Sequence, residues 1–117
     1  MVVSPANYDR LKIFSGDTFE LALIWADEDG AAFDLSSHAA TLRFLDNSGA
    51  TIKTLTSPTQ IVLTGTTIDS TTFNIYCRIA AADTPDYATA TTFLLEITEP
   101  DGVTINRLLK GPVAFEK

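Results

Sequence analysis

The sequence predicts an all-β protein: a single antiparallel β-sandwich of about seven to nine strands with one short helical turn. Three observations lead there. Apolar residues recur at every second position in short runs, and clusters of Gly, Pro, Asp and Asn separate those runs, which is the pattern of strands joined by tight turns. No run of helix length keeps apolar residues at the three-to-four spacing of a helix face. Seventeen threonines, most of them in or beside the alternating runs, supply β-branched side chains suited to a pleated, half-exposed surface.

The elements follow in order. "DRLKIF" (9–14) is the first expected strand. In "TFELALIWA" (18–26), Phe19, Leu21, Leu23 and Trp25 share the core face, and Glu20, Ala22 and Ile24 share the other. Ile24 is an apolar residue on the outward set, which marks it as a contact to something else. The flanking "SGD" and "DEDG" are turns, with glycine supplying positive φ and aspartate satisfying turn backbone. "AATLRFLD" (39–46) alternates Ala40, Leu42 and Phe44 against Thr41, Arg43 and Leu45, and "DNSG" returns the chain into "ATIKTL" (50–55) as a hairpin. "IVLTG" and "TTIDSTTFNIYCRIA" give a short strand, a turn and a long strand. "AADTPDYA" (81–88) is the helical turn, ended or kinked by Pro85. "TTFLLEIT" (91–98) puts Phe93, Leu95 and Ile97 on one face, and "EPDG" turns into the last strand, "VTINRLLKGPVAF". Gly111 suggests a bulge there and Pro112 an edge. A chain of 117 residues is the size of one domain, divided here into an N-terminal arm, 1–8, and the sandwich, 9–117.

Eight Lys and Arg against fifteen Asp and Glu leave a net charge of −7. The basic residues are scattered singly, so a phosphate backbone or an anionic lipid surface would be repelled. The expectation is no nucleic acid and no membrane as partner. "MVVSPANYDR" lacks the cationic and apolar regions of a secretory signal, so synthesis in the cytoplasm is expected. Cys77 is the one cysteine, in step with Phe73, Ile75 and Ile79, and reads as a small buried hydrophobe.

Catalytic chemistry finds little support. Asp34, Ser36, Ser37 and His38 are close in sequence, but a triad is assembled from separate parts of a fold, and "DLSSHAATL" reads as a turn entering a strand. No Gly-x-Ser-x-Gly and no glycine-rich phosphate loop occurs. Asp27, Asp29 and Asp34 are weak candidate calcium ligands, since the loop lacks the glutamate at its twelfth position that a calcium-binding EF-hand needs; a solvated hairpin tip with no metal is the expected reading. Tyr8, Tyr76 and Tyr87, if exposed, leave a carbohydrate-binding module open. No cofactor is expected.

"SGDTFELALIWADEDGAAFDLSSHAATLRFLD" resembles the opening of small immunoglobulin-like proteins of tailed bacteriophages and prophages. A Gly16-Asp17-Thr18 turn leads an apolar strand, then Trp25, Asp27, Asp29 and Gly30, then Asp34-Leu35. "IAAADTPDYATATTFLLEITEPDGVTINRLLKGPVAF" resembles that family's ending, with Arg-Leu-Leu-x-Gly at 107–111. The chain is similar to the N-terminal domain of phage upper-baseplate and fibre-attachment proteins, although "ATATT" stands where a glycine often precedes the strand. The resemblance implies an Ig-like sandwich and a non-catalytic virion role at the tail, baseplate, neck, fibre attachment or capsid surface. Its partners would be other virion proteins and copies of itself, after synthesis in a host cytoplasm. The contact residues expected are Tyr8 in the N-terminal arm, outward Ile24 and Tyr76, Pro112, and Phe115 in "VAFEK", with the chain ends packing on a neighbour.

Overall fold

Period-two burial decides the architecture. The computed structural model describes residues 6–7, 11–63 and 65–117. Its strands are β1 (Ala6–Asn7), β2 (Leu11–Phe14), β3 (Phe19–Leu23), β4 (Ala39–Leu45), β5 (Thr51–Thr56), β6 (Ile61–Val62), β7 (Thr66–Ile68), β8 (Thr71–Phe73), β9 (Ile75–Ile79), β10 (Thr92–Thr98) and β11 (Ile105–Glu116), with a 3-10 turn at Thr84–Tyr87. In β4, Ala40, Leu42 and Phe44 are buried, and in β10 so are Phe93, Leu95 and Ile97. Cross-strand register puts Phe44 opposite Phe93 and Leu42 opposite Leu95, so one sheet face is apolar along its whole length.

The first sheet has the order β1-β11-β10-β4-β5, with β2 also beside β11. The second has the order β3-β9-β6, and β7–β8 form a separate hairpin. The chain crosses between sheets after β2, β3, β5 and β9, so neither sheet is a simple meander. Naming the strands A to G along the chain, β11-β10-β4-β5 is G-F-C-C′ and β3-β9-β6 is B-E-D, the strand order of an immunoglobulin-like sandwich. Among the described residues, nineteen buried apolar side chains from both sheets and the segments between them form one cluster. Each of the larger ones contributes roughly 1.5–3 kcal/mol through burial. Phe44 meets Tyr87 of the 3-10 turn edge to face, centroids 4.9 Å apart. Cys77 is buried on β9 without a disulfide.

Several expectations are corrected. Two pairings are parallel: β1 runs with Leu109–Lys110 and β2 with Val113–Glu116 of β11. The expected arm therefore reaches the sheet at Ala6–Asn7. The C-terminal strand pairs with β10 and β2 of its own chain. The register of β11 shifts opposite Leu95/Glu96, which makes Leu108 the extra residue rather than Gly111. Pro112 is opposite Thr92 of β10 and lies between the stretches paired with β1 and with β2. It marks a handover between neighbours instead of a free edge. Pro85 stands in the first turn of the 3-10 element and opens it, since that position needs no N–H donor.

Candidate interaction site

β3 stops pairing with β9 at the Leu23–Ile75 rung, and the chain turns outward through Ile24 and Trp25. Asn74, 7% exposed, takes over where the ladder ends. Its Oδ1 accepts from the Trp25 N–H at 2.8 Å, and its amide donates to the Trp25 carbonyl at 2.8 Å and the Phe33 carbonyl at 3.0 Å. The Phe33 N–H in turn donates to the Trp25 carbonyl at 3.0 Å, and the two rings meet at 4.9 Å, 62° apart. The Trp25–Phe33 loop is thus tied at both ends.

This clamp holds one wall of a groove of about 160 Å³ lined by Leu23, Ile24, Trp25, Leu108 and Leu109. The opposite wall exists because of the β11 bulge, which inserts Leu108. Ile24 is 49% exposed, as its outward position predicts. Val103 and Ile105, 80% and 56% exposed, stand at the same pole, because Thr98 of β10 is in register with both Ala39 and Ile105.

The acidic residues at this pole are turn builders. Asp27 Oδ1 accepts from the N–H groups of Asp29 at 2.9 Å and Ala31 at 3.0 Å. The Gly30 N–H donates to the Asp27 carbonyl at 3.0 Å, and the Asp27 N–H to the Ala31 carbonyl at 2.9 Å. The same four bonds recur at Asp46, Ser48, Gly49 and Ala50. Asp27 and Asp34 each commit Oδ1 to their own backbone turns, and no three His, Cys, Asp or Glu side chains converge on a metal position among the described residues. Ser36 hydrogen bonds, from its hydroxyl and then its N–H, hold the Asp34 carboxyl below its ordinary value. The Thr104 hydroxyl, then the N–H groups of Thr104 and Val103, bring Asp101 down to about 2. These carboxylates stay charged at neutral pH.

The other expected residues are placed as follows. Tyr8 lies outside the described residues. The Tyr76 hydroxyl donates to Glu20 Oε2, so its tip is tied to the neighbouring β3 edge. Pro112 is exposed and Phe115 half-buried, its ring packed against the core cluster. Tyr87, one of the tyrosines whose exposure would have favoured a carbohydrate module, is 3% exposed and belongs to the core. The thiol of Cys77 is pushed up to about 12 by burial, which removes the thiolate a nucleophile needs. His38 is half-buried with its Nδ1 unpartnered.

Three features were not foreseen: the Asn74 clamp, the leucine wall at 108–109, and a carboxylate between two arginines. Glu96, 5% exposed on β10, meets Arg43 at 2.6 Å and Arg107 at 3.3 Å. A single polar residue inside each apolar run, Asn74 in "TFNIYC" and Glu96 in "FLLEIT", is the signal that could have found two of them.

No family model matches the chain, and no curated protein does either. Among solved structures, the chain is similar to the ZIG-8–RIG-5 IG1–IG1 heterodimer, 12% identical with a TM-score of 0.45, covering 98% of this chain and 88% of that one. It is also similar to Dpr1 IG1 bound to DIP-eta IG1, 13% identical with a TM-score of 0.42, covering 96% and 90%. At these values the likenesses add nothing to the strand order and do not bear on the phage resemblance.

Proposed function

We propose that the chain is a non-catalytic structural module of a tailed-phage particle, working by protein–protein contact in a symmetric assembly. The observation that carries the contact reading is the groove at Leu23, Ile24, Trp25, Leu108 and Leu109, opening beside exposed Ile24 on a pole that also presents Val103 and Ile105. Exposed apolar residues gathered at one place mark interaction surfaces. The phage assignment draws its support from the turn and strand motifs at 16–35 and 107–111. A carbohydrate reading has less support, because Tyr87 is in the core and Tyr76 is tied to Glu20.

Quantitative mass spectrometry of purified particles tests the assignment. Roughly three to twelve copies per particle are expected for a tail, neck or fibre ring of closed symmetry. Hundreds would make it a capsid decoration protein, and complete absence would end the virion reading.

A further inference from the structure

Resting on that contact reading, we propose that the groove and the edge of β3 that stays open among the described residues together receive an extended apolar segment of a partner protein. The segment carries lysine or arginine at the end nearest the 27–29 turn and joins the second sheet as a fourth strand.

The edge supplies the first argument. β3 is terminal in its three-stranded sheet, and among the described residues only β9 pairs with it. Alternate residues of an edge strand turn backbone N–H and C=O outward, a ready template for another strand. Proteins usually blunt such edges with lysine, proline, a bulge or a very short strand. The other edge of this sheet, β6, has two residues, and the β5 edge of the first sheet carries Lys53. β3, "FELAL", has five residues, no lysine and no proline, and its one charged side chain, Glu20, accepts from the Tyr76 hydroxyl.

The groove supplies the second. A strand laid along β3 would pass Leu23, Ile24 and Trp25, where the cavity of about 160 Å³ reaches across to Leu108 and Leu109. Backbone pairing gives such a strand its affinity and a side-chain pocket its selectivity.

Charge identifies the occupant. Just beyond Trp25 stand exposed Asp27, Glu28 and Asp29, with Asp101 on the neighbouring β10–β11 turn. Arg107, near the groove on β11, is paired to Glu96 at 3.3 Å. A cationic segment is steered to this pole and an acidic one repelled. A second copy fits poorly. Pairing β3 with itself about Ala22 sets Asp27 opposite Asp17 of the second copy, in a chain already at −7.

Selection of a random displayed dodecapeptide library against the full chain tests this, followed by titration of the best synthetic peptide. The expected peptides alternate apolar residues and carry Lys or Arg toward one end. They shift the emission of Trp25, slow amide exchange at Phe19–Leu23, and weaken with added salt. Ile24→Ser, at a half-exposed position that leaves the fold intact, lowers affinity at least about tenfold, and N-methylation of alternate peptide bonds abolishes binding. The proposal is overturned if no peptide is enriched, if acidic peptides win, if Ile24→Ser binds equally, or if protection falls away from β3. Peptide-free dimerisation with protection at β3 would overturn it in favour of a second copy. Particle composition is independent of all these results, so failure here leaves the virion reading to its own test.

Discussion

Asn74 grips the backbone of Trp25 from both sides, accepting from its N–H and donating to its carbonyl, each at 2.8 Å. A side chain thereby imitates one further rung of strand beyond the Leu23–Ile75 pair. Trp25 can therefore leave the sheet with both of its backbone groups paired.

Asn74→Ala removes that rung and leaves the Trp25 N–H and the Phe33 carbonyl without this partner, at roughly 1–3 kcal/mol for each group that water cannot reach, while the Trp25 carbonyl keeps the Phe33 N–H. A total loss of about 2–4 kcal/mol is expected in urea unfolding, with a red shift of Trp25 emission in the folded state. Asn74→Asp keeps the acceptor but loses both donated bonds, and should fall in between. An unchanged midpoint for Asn74→Ala would show that the loop holds itself.

The two Asp-x-x-Gly turns carry the same four hydrogen bonds, and Gly30 and Gly49 sit at φ 86° and 87° with open space around an added Cβ. Gly30→Ala and Gly49→Ala should each cost about 1–2 kcal/mol, the strain of a left-handed alanine. The two losses should also be alike. Thermal unfolding of both variants checks the equivalence.

Glu96 binds Arg43 more closely than Arg107, and Arg43 is the less exposed of the two, 43% against 65%. Solvent screening weakens the outer pair. Arg43→Met should therefore destabilise by about 1–2 kcal/mol and Arg107→Met by less than about 1 kcal/mol. Equal losses would mean that the carboxylate makes no distinction between its partners.

Acid should weaken the fold through its turns. Asp101 is lowered from 3.8 to about 2 by Thr104 and Val103, and Asp46 is lowered by the Ser48 hydroxyl, then the Ser48 N–H. The unfolded chain takes up these protons first, so the stabilisation is full above the ordinary carboxylate value and drains away as pH falls toward 2. Denaturation midpoints measured from pH 5 to pH 2 should decline, and Asp101→Asn should flatten part of that decline.

Alternation makes the sheet faces legible from sequence, because burial repeats with period two and needs no knowledge of the partner strand. Leu42, Phe44, Phe93 and Leu95 are placed correctly for that reason. Ile24 stands out as an apolar residue on the outward set of β3, and it is exposed. The groove around it is not legible, since its far wall comes from Leu108 and Leu109. Local pattern says nothing of contacts between opposite ends of the chain. Gly111 suggests the bulge in the sequence, but the register changes where charged Glu96 follows Leu95. The parallel run of β2 beside β11 joins Leu11 to Val113, a pairing that no turn announces.

The most direct measurement of the central claim is amide exchange of the chain alone and within the purified particle. The account predicts slowed exchange in the particle at Phe19–Trp25 and at Leu108–Leu109, with β5 unchanged. Equal exchange at the groove in both states, or protection confined to other surfaces, would contradict it.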